Sequence, residues 1–559
     1  MKSNMRVILY ALAAGLIFIL WQRWQLANMP QNPTAQIQID PSSSDAGVPS
    51  AGASNTSMNA PIAAHANAQE QFVRVRTDVL DVLISTRGAT LMQADLLKYP
   101  VSLKDDQALA LIRQNNPNRM QMTSGMVSAV RDEASPTHTA LWQSAQNEYV
   151  LAEGQDSLTV PFTWQNEQGL SVSKTFTFHR GKYEFELLQQ LDNSSANAWQ
   201  GIAYNQIAFG KAQGSQGLSN IATFTGAVLS SADNRYEKIK LSDIADTKKA
   251  AKSVNSTDGW VAMIQHYFIA ALVPKNSVPH VLYTQYNPNN GDHIVGVKSE
   301  VLSIPAGSRY EFSSSAYVGP KIVKDLDQVA PYLDKTVDYG MLFMISEFMF
   351  KVMELIHKVI GNWGWAIVVM TLLIKLLFFV PSAWAYKSMA KMRALQPEMT
   401  RLRELYGNDR QAMSQEIMKL YKKEQVNPAS GCLPMLLQIP FFIAFYYMLA
   451  ESVELRHAPW MGWIQDLSAM DPYFILPIIN MGLMFLQQKL NPPPADPMQQ
   501  KVMLMMPLIF GFMFMWFPSG LVLYWTVSNA FGIVQQWLMN KRYGEPHKAP
   551  QNHHAKQSS

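Results

Sequence analysis

Five apolar stretches lie between residues 363 and 540, at about 363–385, 431–450, 472–488, 502–517 and 520–540. Each approaches the roughly 20 residues of helix that cross a bilayer. Hydrocarbon offers no hydrogen-bond partner, so a chain with such segments is confined to helices or a closed barrel there. The other residues are of a different kind. Over all 559 residues the mean hydropathy is only -0.06. Charged residues are 16%, against roughly 25% in ordinary soluble proteins. The average hides two unlike parts.

Val7 to Trp21 is a further apolar run, preceded by Lys2 and Arg6. The convincing small-x-small sites, at Ala64–Ala66 and Ala66–Ala68, lie far beyond it, so an uncleaved signal anchor over 1–28 is expected. Residues 29–70 are rich in Ala, Ser, Asn, Gln and Pro and read as a disordered tether. Residues 71–335 carry short alternating runs, among them Phe72–Arg76, Thr175–Phe178 and Tyr183–Leu187. The last two flank His179-Arg180-Gly181-Lys182, a hairpin signal. The pattern predicts a large antiparallel β-sandwich. The single cysteine, Cys432, excludes an intramolecular disulfide.

Residues 340–360 are mostly Met, Phe, Leu and Ile but carry Glu347, Lys351, Glu354 and Lys358. Spacings of 4, 3 and 4 place these on one helical face, which predicts an amphipathic helix in the membrane interface. Packing beneath the β-domain is the alternative. The segment 386–428 holds nine basic residues, whereas 451–471 holds only Arg456 against four acids. The tail 541–559 is again basic. The positive-inside rule then puts both termini and 386–428 in the cytoplasm, and six spans satisfy that parity. The β-domain falls outside, in the periplasm of a bacterial cell.

Enzyme signatures are absent: there is no phosphate loop, no dinucleotide fingerprint and no zinc-protease or hydrolase motif. Two S-x-x-K matches, Ser171 to Lys174 and Ser388 to Lys391, lack companion motifs. No nucleic-acid module is visible, so DNA is not an expected partner. Lys375 stands inside an apolar span, where a Lys costs about 2.5–3.5 kcal/mol on insertion scales. The other spans offer no acid in their cores. Lys375 therefore either snorkels to the cytoplasmic side or faces a polar cavity lined by Thr371, Gln438, Ser528 and Asn529. Of 32 Met, 23 lie in 341–559. Met389, Met392, Leu395, Met399 and Leu402, then Met413, Ile417, Met418 and Tyr421, predict an antiparallel helical hairpin. Its Met-rich surface suits varied apolar clients or simply packs its two helices together.

Several segments taken together closely resemble the YidC/Oxa/Alb membrane-protein insertases. They are Lys387–Arg393, Asn427-Pro428, Gly431–Pro434, Gln438–Phe442, Asp496–Lys501 and Phe517–Trp525. The outer domain resembles the Gram-negative YidC type in position and size. The resemblance implies an α-helical polytopic membrane protein of six spans. A five-helix insertase core fills 363–540, and the periplasmic domain is similar to a galactose-mutarotase-like β-sandwich. It further implies a non-enzymatic insertase and chaperone without cofactors, whose hydrophilic groove opens to cytoplasm and lipid. The clients would be nascent membrane proteins, contacting Met435, Ile439, Phe442, Tyr524 and Trp525. Membrane lipids, the Sec translocon and the ribosome would be further partners. The family's groove cation is typically Arg, and Lys375 stands at the matching position; the charge is kept and the bidentate fork lost. A secondary transporter is the alternative, but five core spans without a visible repeat argue against it. An intramembrane protease lacks a nucleophile and base pair.

Overall fold

The computed structural model describes residues 47–49, 69–114, 119–130, 135–210, 223–246, 248–275, 279–407, 409–424, 426, 433–491 and 497–543. The expectations for 1–28, for most of 29–70, for Asn427-Pro428 and for the tail beyond 543 fall outside these residues.

Period-two burial along the strands builds two sheets between Phe72 and Pro320. The larger runs from Ser253–Ser256 through His280–Asn287, Asp292–Ser299, Trp199–Gly210, Arg119–Ser128, Thr90–Ser102 and Leu80–Ser85 to Phe72–Arg76 and Glu148–Val150. The smaller runs from Glu237–Lys240 through Gly226–Ser230, Trp260–Ile264, Phe268–Pro274, Ser308–Pro320, Glu184–Asn193 and Leu170–His179 to Ser157–Gln165 and Gln143–Ser144. Strands pair antiparallel, except that Phe72–Arg76 lies parallel to Glu148–Val150. The hairpin signal is realised: Phe178 pairs with Phe185, and Gly181 turns the chain at φ 72°.

Two details depart from the sequence reading. Residues 47–49, inside the expected tether, rest on the sandwich, where Gly47 carbonyl accepts from Gln206 Nε2 at 3.0 Å. Lys174 points inward among Val172 and Phe176 and is fully buried. Its ammonium bridges to the carbonyls of Gly88 at 2.6 Å and Ser124 at 2.9 Å, with the Trp142 ring 4.3 Å away. Ser171, three residues earlier, lies on the other face of the strand, so this S-x-x-K pair cannot meet.

The helical half begins with α1 (Phe343–Ile360), whose charged face closes through Lys351–Glu347 at 2.6 Å and Lys358–Glu354 at 3.0 Å. Met349, Phe350 and Met353 are buried, while Met344, Phe348, Leu355 and Val359 form an exposed apolar stripe. Next come α2 (Trp363–Leu377) and α3 (Phe379–Ala394), then α4 (Gln396–Tyr406) and α5 (Arg410–Lys423). The remaining helices are α6 (Leu433–Glu451), α7 (Ile475–Leu490), α8 (Pro497–Phe514) and α9 (Ser519–Tyr543). Among the described residues no single helix is long and apolar enough to cross a bilayer alone; α2 and α3 are so together, bent by 65°. The bend has a local cause. Pro381 lacks an N–H and its ring clashes with the carbonyl of Leu377, so the helix restarts after Phe378. Pro440 and Pro507 do lie inside helices. Pro477 sits in the first turn of α7, where a missing N–H costs nothing, and interrupts no span.

The helices α4 and α5 form the expected hairpin, with a small core of Leu395, Met399, Ile417, Leu420, Tyr421 and Val426. Met418 departs from the expectation: it is 56% exposed on the outer face. Asp409 caps α5 by accepting from the amides of Gln411 and Ala412, both at 3.0 Å.

The β-domain carries a titratable group of defined sign. His138 Nδ1 lies 2.6 Å from the Tyr204 hydroxyl. Burial, and secondly the Lys174 amine, push its pKa down to about 4. The unfolded chain protonates this ring near pH 6.5. Stability present above pH 6.5 is therefore lost progressively as pH falls toward 4. Thermal melts followed by near-ultraviolet circular dichroism are expected to show that loss, and His138→Gln is expected to reduce it. An unchanged drop in the variant would assign the acid sensitivity to other groups.

Candidate groove in the helical bundle

Lys375 occupies the last turn of α2, half-buried, just ahead of the break at Phe378. Its Nζ donates to Gln438 Oε1 of α6 at 3.1 Å. The two residues lie 63 apart in sequence, and the partner is a neutral amide. The expected polar lining divides. Thr371 is buried, and its hydroxyl donates to Ile367 carbonyl at 2.7 Å, so it is committed to its own helix. Ser528 is buried on α9. Asn529 donates from Nδ2 to Asn480 Oδ1 of α7 at 2.9 Å.

Asn480 and its neighbours were missed by the sequence reading. Gln535 donates from Nε2 to Phe379 carbonyl at 3.0 Å, which ties α9 to the start of α3. Gln536 donates from Nε2 to Asn491 Oδ1 at 2.8 Å. The buried atoms Asn480 Nδ2, Gln536 Oε1 and Asn540 Nδ2 have no partner among the described residues. A signal for this seam was present. Ser528 and Gln535, and likewise Asn529 and Gln536, repeat at seven residues, and Asn540 follows four later. That spacing gathers polar groups on one side of α9.

The apolar residues expected to meet clients differ in exposure. Ile439 is 41% exposed on α6. Phe442 is half-buried, with its ring 4.4 Å from Trp525, edge to face. Tyr524 is 5% exposed and lies 4.5 Å from the Phe445 ring, so it packs within the bundle. The side chain of Met435 falls outside the described residues. Exposed apolar side chains also cover α8, where Ile509 is 58% and Phe512 is 62% exposed. Among the described residues no group of three or more His, Cys, Asp or Glu is placed to hold a metal ion.

Apolar helices with a polar seam, joined to a large β-domain, are the plan of a helical membrane protein that carries a separate folded domain. Residues 72–352 match the family model described as YidC periplasmic domain, and residues 355–546 match that described as 60Kd inner membrane protein. The chain is 44% identical over 555 residues to the membrane protein insertase YidC of Thioalkalivibrio sulfidiphilus, covering 96% of this chain and 98% of that one. It is 42% identical over 543 residues to the YidC of Methylococcus capsulatus, covering 97% and 98%. With the Azotobacter vinelandii YidC it shares 41% over 554 residues, covering 97% and 98%. The chain belongs to the YidC family.

The unpaired atoms of the seam have a thermodynamic consequence. A buried donor without a partner costs about 1–3 kcal/mol, whereas two partners replaced together by apolar groups are close to neutral or stabilising. Asn480→Leu combined with Asn529→Leu is expected to raise stability by about 1 kcal/mol, read as a higher unfolding temperature in detergent. A lower temperature would mean that water already satisfies Asn480.

Proposed function

We propose that the chain is a membrane-protein insertase and chaperone, which admits polar client segments partway into the bilayer along the α2–α6–α7–α9 seam. The observation that carries this reading is the Lys375–Gln438 contact: a cation in an apolar bundle, half-buried, held by one neutral acceptor. An ammonium has three donors, so this one keeps donors for a client. The kinship to insertases over nearly the whole chain supports it. No reacting group is required of the chain, which acts as a non-enzymatic scaffold.

Six spans, with both termini and the α4–α5 hairpin in the cytoplasm, fit the distribution of Lys and Arg. In that arrangement the exposed apolar stripe of α1 lies against lipid in the interface. Ile439 and Phe442 line the client path, with Trp525 behind Phe442. The segment 386–428 that contains the hairpin carries nine basic residues against five acidic ones, a net positive charge suited to ribosomal RNA or anionic headgroups. The Sec translocon is a second partner of this reading.

The test is the purified protein alone in liposomes, offered a short two-span client. Unaided insertion is expected; solute flux without insertion would indicate a transporter instead. A cation within about 4 Å of a client carboxylate contributes roughly 1–4 kcal/mol, depending on local dielectric. Lys375→Arg is therefore expected to insert clients normally. Lys375→Ala is expected to impair clients with acidic translocated tails most, and Lys375→Glu more severely. Protease protection of tails of graded charge reads this directly. Equal protection of acidic tails by Lys375→Ala and the unsubstituted protein would remove the electrostatic role.

A further inference from the structure

Three separate parts of the β-domain converge on residues 450–456, at the end of α6 and just past it. Lys321 follows directly on the strand Ser308–Pro320, and its ammonium donates to Glu451 Oε2 at 2.7 Å. Both side chains are buried, 2% and 6% exposed. Among the described residues no other ion pair has both partners below a tenth exposed. The same ammonium donates to Thr336 carbonyl at 3.2 Å. His266, in the turn between Trp260–Ile264 and Phe268–Pro274, places Nε2 2.7 Å from Ala450 carbonyl. Arg456 donates from Nη2 to the carbonyls of Pro100 and Val101, at 2.8 and 3.1 Å. The apolar cores of the two halves are continuous around these contacts.

The helix held this way is the one that presents Gln438 to Lys375. Gln438 lies 13 residues before Glu451, about 20 Å along the axis. Midway, Ser346 of α1 donates to Ala444 carbonyl at 3.0 Å. Pro440 removes one bond of the ladder, yet α6 is a single helix from Leu433 to Glu451, so the turn bearing Gln438 follows the anchored end. The contact at the far end is short of tolerance. Sliding α6 by one residue, about 1.5 Å, takes a 3.1 Å bond out of range.

A buried ion pair is a poor source of net stability, because desolvation offsets most of the attraction, but it is strict about geometry. We propose that Lys321 and Glu451 are positioning residues, which set the axial register of α6 from the β-domain side and so hold Gln438 against Lys375. The proposal rests on the insertase reading and adds to it a defined route by which the outer domain acts on the groove. That route passes through one side chain beyond the last strand.

The test uses the full-length protein in liposomes, with clients bearing neutral or acidic tails. Lys321→Met is expected to lower insertion of the acidic-tailed client about tenfold, within the usual range of coupling between distant sites. The reversed pair, Lys321→Glu with Glu451→Lys, restores the attraction and is expected to return insertion to within about twofold. The reversed pair also answers the case in which Lys321→Met fails to fold. If it folds yet inserts poorly, charge pairing does not set the register and the proposal is overturned. In a Lys375→Ala background, adding Lys321→Met is expected to cost less than about twofold more, because both act on one contact. A further full tenfold loss there would show that the pair acts independently of the groove, and would overturn the proposal. So would normal insertion by Lys321→Met. Failure of the unsubstituted protein to insert any client strikes the insertase reading itself, and is read in the same assay before any variant.

Discussion

Hydrocarbon cannot hydrogen-bond, so every polar group inside the helical half must find its partner within the protein or in admitted water. The arrangement of α2, α6, α7 and α9 follows from that constraint. Lys375 finds Gln438, Asn529 finds Asn480, and Gln535 finds the carbonyl of Phe379 beside the helix break. Each contact joins two helices, so together they fix which helices stand next to each other. The satisfaction is incomplete. Asn480, Gln536 and Asn540 each keep an unpaired buried atom, among apolar neighbours that pack closely. Among the described residues these atoms have no partner, which is what the proposed passage of polar segments would require.

The chain contains a control for this argument. Lys174 is also buried, but in the β-sandwich, where two carbonyls take its protons and the Trp142 ring covers it. Burial there drives its pKa well below the usual lysine range. It staples the turn at Gly88 to the strand Arg119–Ser128 and cannot be reached. Lys375 has one amide acceptor and keeps partial exposure. The same residue type, buried in the two halves, serves as a closed structural tie in one and as an open polar contact in the other.

Local patterns were legible because they act over a few residues. Period-two alternation placed the strands Phe72–Arg76, Leu170–His179 and Glu184–Asn193, and Gly181 placed the hairpin turn between the last two. Spacings of three and four placed the charges of α1 on one face, where they pair with each other. The cost of a cation in a span singled out Lys375 and, among its possible neighbours, Gln438. The rest depends on what meets what at long range. That Tyr524 packs on Phe445 while Ile439 stays exposed is decided by helix placement, which no spacing records. Met418 points away from its partner helix although its period matches. Thr371 looked like a lining residue by type, but its hydroxyl is satisfied one turn back on its own helix. Of the polar face of α9, Ser528 and Asn529 were read from the sequence; Gln535, Gln536 and Asn540 continue it at heptad spacing, and the partners of this face on α3, on α7 and just past it come from long-range packing.

The substitution of Lys for the family's usual Arg becomes intelligible at this contact. A guanidinium gains over an ammonium where two acceptors lie side by side in its plane. The described partner of Lys375 is a single amide oxygen, approached from one direction. A compact ammonium loses little there, and on the proposed mechanism its flexible stem would let the charge follow a client carboxylate without releasing a second bond. The aromatic wall behind the path supplies the stiffness that the lysine lacks. Phe442, Phe514 and Trp525 interlock at 4.4 to 4.5 Å between ring centroids, and Phe445 and Tyr524 meet at 4.5 Å. Aromatic pairs at such separations add about 0.5–1.5 kcal/mol beyond their buried area, which holds these rings in place. On the mechanism proposed above, a rigid wall, a mobile charge and a helix anchored at its outer end would divide the work: the wall would keep the path open, the anchor would keep Gln438 in register, and the lysine would respond to what enters.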